Sequence, residues 1–87
     1  MSTVIRRVFN GNGRGSFVQP INSPVAFKGS TIVASITEVD ANGDSFVGSA
    51  RMTVHNVAPR DGQYVIWVNI EWPDPLNYRL NVLVSND

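Results

Sequence analysis

Along residues 31–86 the even-numbered positions of the apolar-rich segments are almost wholly apolar: Ile32, Ala34 and Ile36, then Phe46, Ala50, Met52 and Val54, then Ile66, Val68, Ile70 and Trp72, then Tyr78, Leu80, Val82 and Val84. The odd positions hold Ser35, Thr37, Ser49, Arg51, Thr53, His55, Asn69, Glu71, Arg79 and Asn81. Side chains alternate across a β-strand, so this pattern describes sheet with one core face and one wetter face. It predicts four strands, at about 31–40, 45–58, 63–72 and 78–86, joined as a C-terminal meander. No window places apolar residues at helical spacing for long enough to predict more than a helical turn.

The turns constrain the register. Ala41-Asn42-Gly43 and Arg60-Asp61-Gly62 each suit a three-residue loop with Gly in the left-handed region, which keeps even residues opposite even ones. A two-residue turn would set an apolar face against a polar one, so burial favours the longer loop. The expected pairs are then Val57 with Val65, His55 with Trp67, Thr53 with Asn69 and Arg51 with Glu71. A third hairpin around Pro73-Asp74-Pro75-Leu76-Asn77 sets Trp72 with Tyr78, Glu71 with Arg79, Asn69 with Asn81 and Trp67 with Leu83. The wetter face thus acquires an Arg51–Glu71–Arg79 ladder, a Thr53–Asn69–Asn81 row and a His55–Trp67–Leu83 row.

The first thirty residues are less regular. Thr3–Phe9, Ser16–Ile21 and Val25–Lys28 are candidate strands, separated by the Gly/Asn-rich stretch 10–15 and by Asn22-Ser23-Pro24. Pro20 and Pro24 have no N–H to give a ladder, which places these strands at edges. This segment is the material available to cover the meander, giving a small antiparallel β-sandwich or barrel. The opposing layer looks thin for so many apolar positions, which favours contacts between subunits.

Composition supports an all-β reading. There are thirteen valines and six isoleucines against three leucines, the vocabulary of strands. With 87 residues and no cysteine, a single domain is expected over residues 1–87, held without disulfides by its core or by association with other chains. Formal net charge is zero, so nothing draws the whole chain to nucleic acid or an anionic membrane. The distribution is uneven. Arg6, Arg7, Arg14 and Lys28 occupy residues 1–30 with no acid, and all seven acids follow. The N-terminus lacks the apolar run of a signal peptide, and no stretch reaches the length of a membrane span, so the chain is read as soluble and cytoplasmic.

Candidate chemistry is sparse. Catalysis is not expected: there is no cysteine nucleophile, and His55 is the only histidine, with Glu71 about 13 Å away in the expected register at ~3.3 Å per residue. Asp40-Ala41-Asn42-Gly43-Asp44 starts like a calcium loop, but Ser45 and Arg51 stand where such a loop needs Gly and a bidentate Glu, so no metal and no cofactor is expected. Gly11-Asn12-Gly13-Arg14-Gly15-Ser16 lacks the Lys and the following helix of a phosphate loop. Arg6, Arg7 and Arg14 with Phe9 and Phe17 form a candidate anion or nucleic-acid surface, although nucleic acid is not the expected partner.

The main candidate site is Trp67 with His55, Asn69, Asn81, Thr53 and Leu83 on one face. An aromatic plane beside amides suits a neutral sugar, and equally it is apolar surface for a second subunit to cover. No motif is specific enough to assign a family. The leading expectation is a non-enzymatic binding or assembly module, a homo-oligomer that associates through its exposed apolar strip and through the 78–86 strand as a free edge. The alternatives are a sugar-binding module using the Trp67 face and an anion binder using the basic N-terminal third.

Overall fold

The computed structural model describes residues 4–86. The chain forms seven strands: β1 (Val4–Gly13), β2 (Gly15–Asn22), β3 (Thr31–Val39), β4 (Ser45–Phe46), β5 (Arg51–Arg60), β6 (Gln63–Glu71) and β7 (Leu76–Ser85). They make two antiparallel sheets, β1-β7-β3-β4 and β2-β6-β5. The expected all-β sandwich is what the chain adopts. The expected start of the first strand at Thr3 lies outside the described residues. Residues Val25–Lys28 form turns and irregular chain where a third N-terminal strand was expected, since Pro24 and Gly29 bound a segment too short to join a ladder.

The meander is not continuous. Of its three expected hairpins, the first survives as the short β3–β4 pair and the second as β5–β6, while β7 lies between β1 and β3 instead of beside β6. Trp72-Pro73-Asp74-Pro75 therefore carries the chain across the sandwich instead of turning a hairpin, and its two prolines remove two ladder donors. The physical reason is burial. Tyr64, Ile66, Val68 and Ile70 of β6 and Tyr78, Leu80, Val82 and Val84 of β7 all point inward and are almost fully buried. Side by side in one sheet they would crowd a single layer; in facing sheets they cover one another. The predicted pairs Trp72–Tyr78, Glu71–Arg79, Asn69–Asn81 and Trp67–Leu83 are replaced by Leu80 with Phe9 and with Ile36, and Val82 with Arg7 and with Ala34.

The even-numbered parity holds through β3, β6 and β7, where Ile32, Ala34 and Ile36 pack against the buried cluster with Met52 and Val54 of β5. The first turn also forms as expected. Asp40 N–H donates to the Asp44 carbonyl at 2.9 Å across Ala41-Asn42-Gly43, with Gly43 at φ +82°. The strand that follows breaks after Phe46 and resumes at Arg51 in the other sheet.

The second turn differs. Arg60 pairs with Gln63 across the two residues Asp61-Gly62, and Pro59 pairs with Tyr64. The resulting one-residue slip is corrected by a bulge at His55, beyond which Thr53–Asn69 and Arg51–Glu71 pair as predicted. A bulge absorbs one extra residue and restores the face. Between bulge and turn the parity of β5 is reversed, so Val57 opposes Ile66 and packs on the core instead of facing outward beside Val65.

One end of the sandwich is closed by the loop 23–30. Ser23 N–H donates to the Gly62 carbonyl at 2.9 Å and Gly62 N–H to the Ala26 carbonyl at 2.8 Å. The Ser30 hydroxyl bonds the Asn86 side chain, whose amide reaches the Val25 carbonyl at 2.8 Å. At the other end Arg79 gathers three segments, donating to Asn10 Oδ1 at 3.1 Å, Ser45 Oγ at 3.4 Å and the Gly43 carbonyl at 2.7 Å. Arg79 is thus a clamp on β1 and the β3–β4 turn, not a rung of a ladder with Glu71.

The Gly/Asn-rich stretch 10–15, expected to separate two strands, is instead the end of β1, the corner at Arg14 and the start of β2. Gly11 is required there by packing. A Cβ on it would lie 2.5 Å from the Tyr78 ring, and that ring is held against Phe17 with centroids 5.9 Å apart. Gly11→Ala should therefore cost about 1–3 kcal/mol, the range for overpacking, read as a lower urea midpoint. An unchanged midpoint would mean that the Tyr78 ring moves aside freely.

Candidate functional site

The predicted site residues divide between the two outer faces of the sandwich. On the β2-β6-β5 sheet, cross-strand rows place Val18 beside Trp67 beside Asn56, and Ser16 beside Asn69 beside Thr53. Trp67 stays on the outer side because Ile66 and Val68 take the core. Its indole Nε1–H donates to Ser16 Oγ at 2.6 Å. The bulge swings His55 over it, with ring centroids 4.7 Å apart and planes inclined by 36°. The predicted His55–Trp67 neighbours are thus in contact, although the direct cross-strand partner of Trp67 is Asn56. Asn69 donates from Nδ2 to Glu71 Oε1 at 3.4 Å. Toward the Asp61-Gly62 turn a shallow apolar trough of about 220 Å³ opens, lined by Val18, Asn56, Ala58, Val65 and Trp67.

Asn81 and Leu83 are on the other surface. Their strand, β7, is in the opposite sheet, so they face away from Trp67 and cannot join it in one site. Asn81 accepts a hydrogen bond from Arg6 Nη2 at 3.2 Å. Leu83 is flanked by Arg6 of β1 and Val33 of β3. This face exposes Val4 by 58%, Val33 by 58%, Leu83 by 43% and Val8 by 39%, against 56% for Val18 and 43% for Trp67 on the far side. Both outer faces therefore carry exposed apolar groups. The sequence argument missed Val4, Val8 and Val33, and the signal was present: once β7 is central, its odd-numbered neighbours on β3 share the outer face of Leu83.

The three candidate anion-binding arginines are spread out. Arg6 and Arg7 alternate to opposite faces of β1, and Arg14, at the β1–β2 corner, donates to the Pro73 carbonyl at 3.0 Å. Arg6 and Arg14 are eight positions apart, about 26 Å along extended chain. The Asp40 carboxylate is engaged by its own turn, accepting from the N–H groups of Asn42 and Asp44 at 2.9 Å each. Among the described residues no three His, Cys, Asp or Glu side chains converge as metal ligands, and no helix is long and apolar enough to cross a membrane.

No known family and no curated protein matches the sequence. The fold has a counterpart in a solved structure, the P. aeruginosa R1 pyocin fiber comprising C-terminal residues 323–701, with a TM-score of 0.63 and 17% identity over 97% of this chain. The chain spans 23% of the length of that one. At this identity the likeness establishes the shared fold: a small two-sheet β domain of a kind that also occurs within a fiber.

Inside the sandwich, the Tyr64 hydroxyl is buried with no hydrogen-bond partner among the described residues. Burial pushes its pKa above the ordinary 10.0, with the nearby Arg7 charge pulling weakly the other way; Tyr78 is raised by burial as well. The unfolded chain then loses these protons first, so stability is intact below pH 10 and falls as pH rises toward the folded-state values. Tyr64→Phe removes an unpaired hydroxyl and should gain up to about 1 kcal/mol at neutral pH, with a shallower alkaline loss in urea melts. Destabilisation by Tyr64→Phe would show that the hydroxyl is satisfied.

Proposed function

We propose that this domain is a non-enzymatic assembly and binding module that self-associates through its outer sheet faces. The observation that carries the reading is the exposure of Val4, Val8, Val33 and Leu83 on the outer face of one sheet and of Val18 and Trp67 on the outer face of the other. An exposed single valine is ordinary, but contiguous apolar groups on one sheet face mark a contact surface. The fold likeness to part of a pyocin fiber supports the same reading. His55 gives its ring to Trp67, and no catalytic role is proposed for it.

A second reading applies to the Trp67 trough. The ring is fixed by Ser16 at one edge and covered by His55 on one side, leaving the trough side open to stack on the C–H face of a neutral sugar, with Asn56 as the available amide. Asn69 lies in the next row, and Asn81 and Leu83 take no part. Glycan-array binding that disappears in Trp67→Ala, with the subunit mass unchanged, would favour it; binding that persists would exclude it.

For the leading reading, light-scattering mass should show a multimer for the wild-type chain and a smaller species for Leu83→Asp or Trp67→Asp, with circular dichroism unchanged. A wild-type mass of one chain at every concentration would contradict it.

A further inference from the structure

Each sheet ends in edge strands, and their backbones are unequally protected. In the β2-β6-β5 sheet the edges are β2 and β5, and each contains a proline, Pro20 and Pro59, that has no N–H to offer. In the other sheet one edge is the two-residue β4, pinned by the Arg79 clamp. The remaining edge is β1, ten residues long and free of proline. Edge strands of that length normally carry some blunting device. The arginines of β1, Arg6 and Arg7, lie at one half of the strand, and Asn10-Gly11-Asn12-Gly13, with no charge, at the other.

That asymmetry makes β1 complementary to itself. Two copies related by a two-fold axis through Val8 would run antiparallel with even residues opposite even and odd opposite odd, so each sheet keeps its inner and outer face. Val8 would meet Val8 of the second copy. On the outer face Arg6 would lie opposite Asn10, and Val4 opposite Asn12. On the inner face Arg7 would lie opposite the ring of Phe9, a cation over an aromatic, and Ile5 opposite Gly11. No like charges meet. A register centred on Arg6 or Arg7 would put arginine directly opposite arginine, which is destabilising.

Beneath this edge the sandwich is open. A cleft of about 290 Å³ lies between β1 and β2, reaching Tyr78 and Leu80 of the core past Phe9 and Gln19. The inward side chains of a strand laid along β1 would pass over the mouth of this cleft.

We infer that β1 is the pairing edge through which two copies of this chain join, antiparallel about Val8, into one continuous eight-stranded sheet. The inference rests on the self-association proposed above and specifies a second contact, backbone to backbone along the β1 edge, in which Val8 belongs to both the edge and the apolar face. Joining the sheets also places Val4, Val8, Val33 and Leu83 of both copies on one side, which doubles the apolar surface available for stacking. The edge once expected to do this, residues 78–86, is central and fully paired.

The test uses charge at the axis. Val8→Lys and Val8→Glu each place like charges opposite one another and should each lose the edge pair, read as a halving of light-scattering mass; mixing the two in equal amounts should restore it. Independently, Val8→Cys should form a covalent dimer on mild oxidation, because directly opposed residues fall within the ~4.4–6.8 Å Cα separation of a disulfide, while Val33→Cys and Val18→Cys should not. The Val8→Cys dimer should persist in a Leu83→Asp background. A multimeric wild type with no Val8→Cys dimer and no rescue by mixing overturns the edge assignment while self-association stands. A monomeric wild type overturns both.

Discussion

The structure depends on the contact between two apolar strands that face each other across the sandwich. The inward rows of β6 and β7, Tyr64-Ile66-Val68-Ile70 and Tyr78-Leu80-Val82-Val84, are almost wholly buried and hold all the largest fully buried side chains among the described residues. Each occupies an interior position of its sheet, flanked on both sides by strands whose inward residues are mostly only partly buried, with Ile21 of β2 a buried exception. Burying a large aliphatic side chain contributes about 1.5–3 kcal/mol relative to leaving it exposed. An 87-residue chain without disulfides has few other sources of stability. Everything peripheral, including the outer faces and the free edge, follows from that central pairing of layers.

The same contact explains what could and could not be read from the sequence. Alternation is a local property, so the positions of β3, β5, β6 and β7, their inward parity over most of their length and the three-residue turn at Ala41-Asn42-Gly43 were all legible. Which strand lies beside which is not local. A linker such as Trp72-Pro73-Asp74-Pro75 can turn a hairpin or cross between layers, and the alternating pattern on either side of it is identical in both cases. The burial requirement could have decided it, because two equally apolar inner rows need each other as cover. The His55 bulge was hidden for a related reason: the extra residue needed to match Thr53 with Asn69 could be placed in the turn or in the strand, and parity at the far end is the same.

The consequence for the site is direct. The Trp67–His55 neighbours and the Ser16–Asn69–Thr53 row depend only on β2, β5 and β6, and these come together in one sheet. Asn81 and Leu83 depended on a β6–β7 pairing that does not exist, and they belong to a second surface. What looked like one mixed aromatic and amide platform is two apolar faces back to back, one centred on Trp67 and the other on Leu83. The domain therefore presents two outer faces with exposed apolar side chains and one ten-residue, proline-free edge strand.

The placement of β6 and β7 in opposite layers is what all of this assumes, and backbone proton NMR in solution tests it most directly. Cross-strand Hα and amide contacts from β7 should run to β1 and β3, from Leu80 to Phe9 and Ile36 and from Val82 to Arg7 and Ala34. A ladder of such contacts between Asn69 and Asn81 or between Trp67 and Leu83 would contradict the two-layer arrangement and return every one of these residues to a single face.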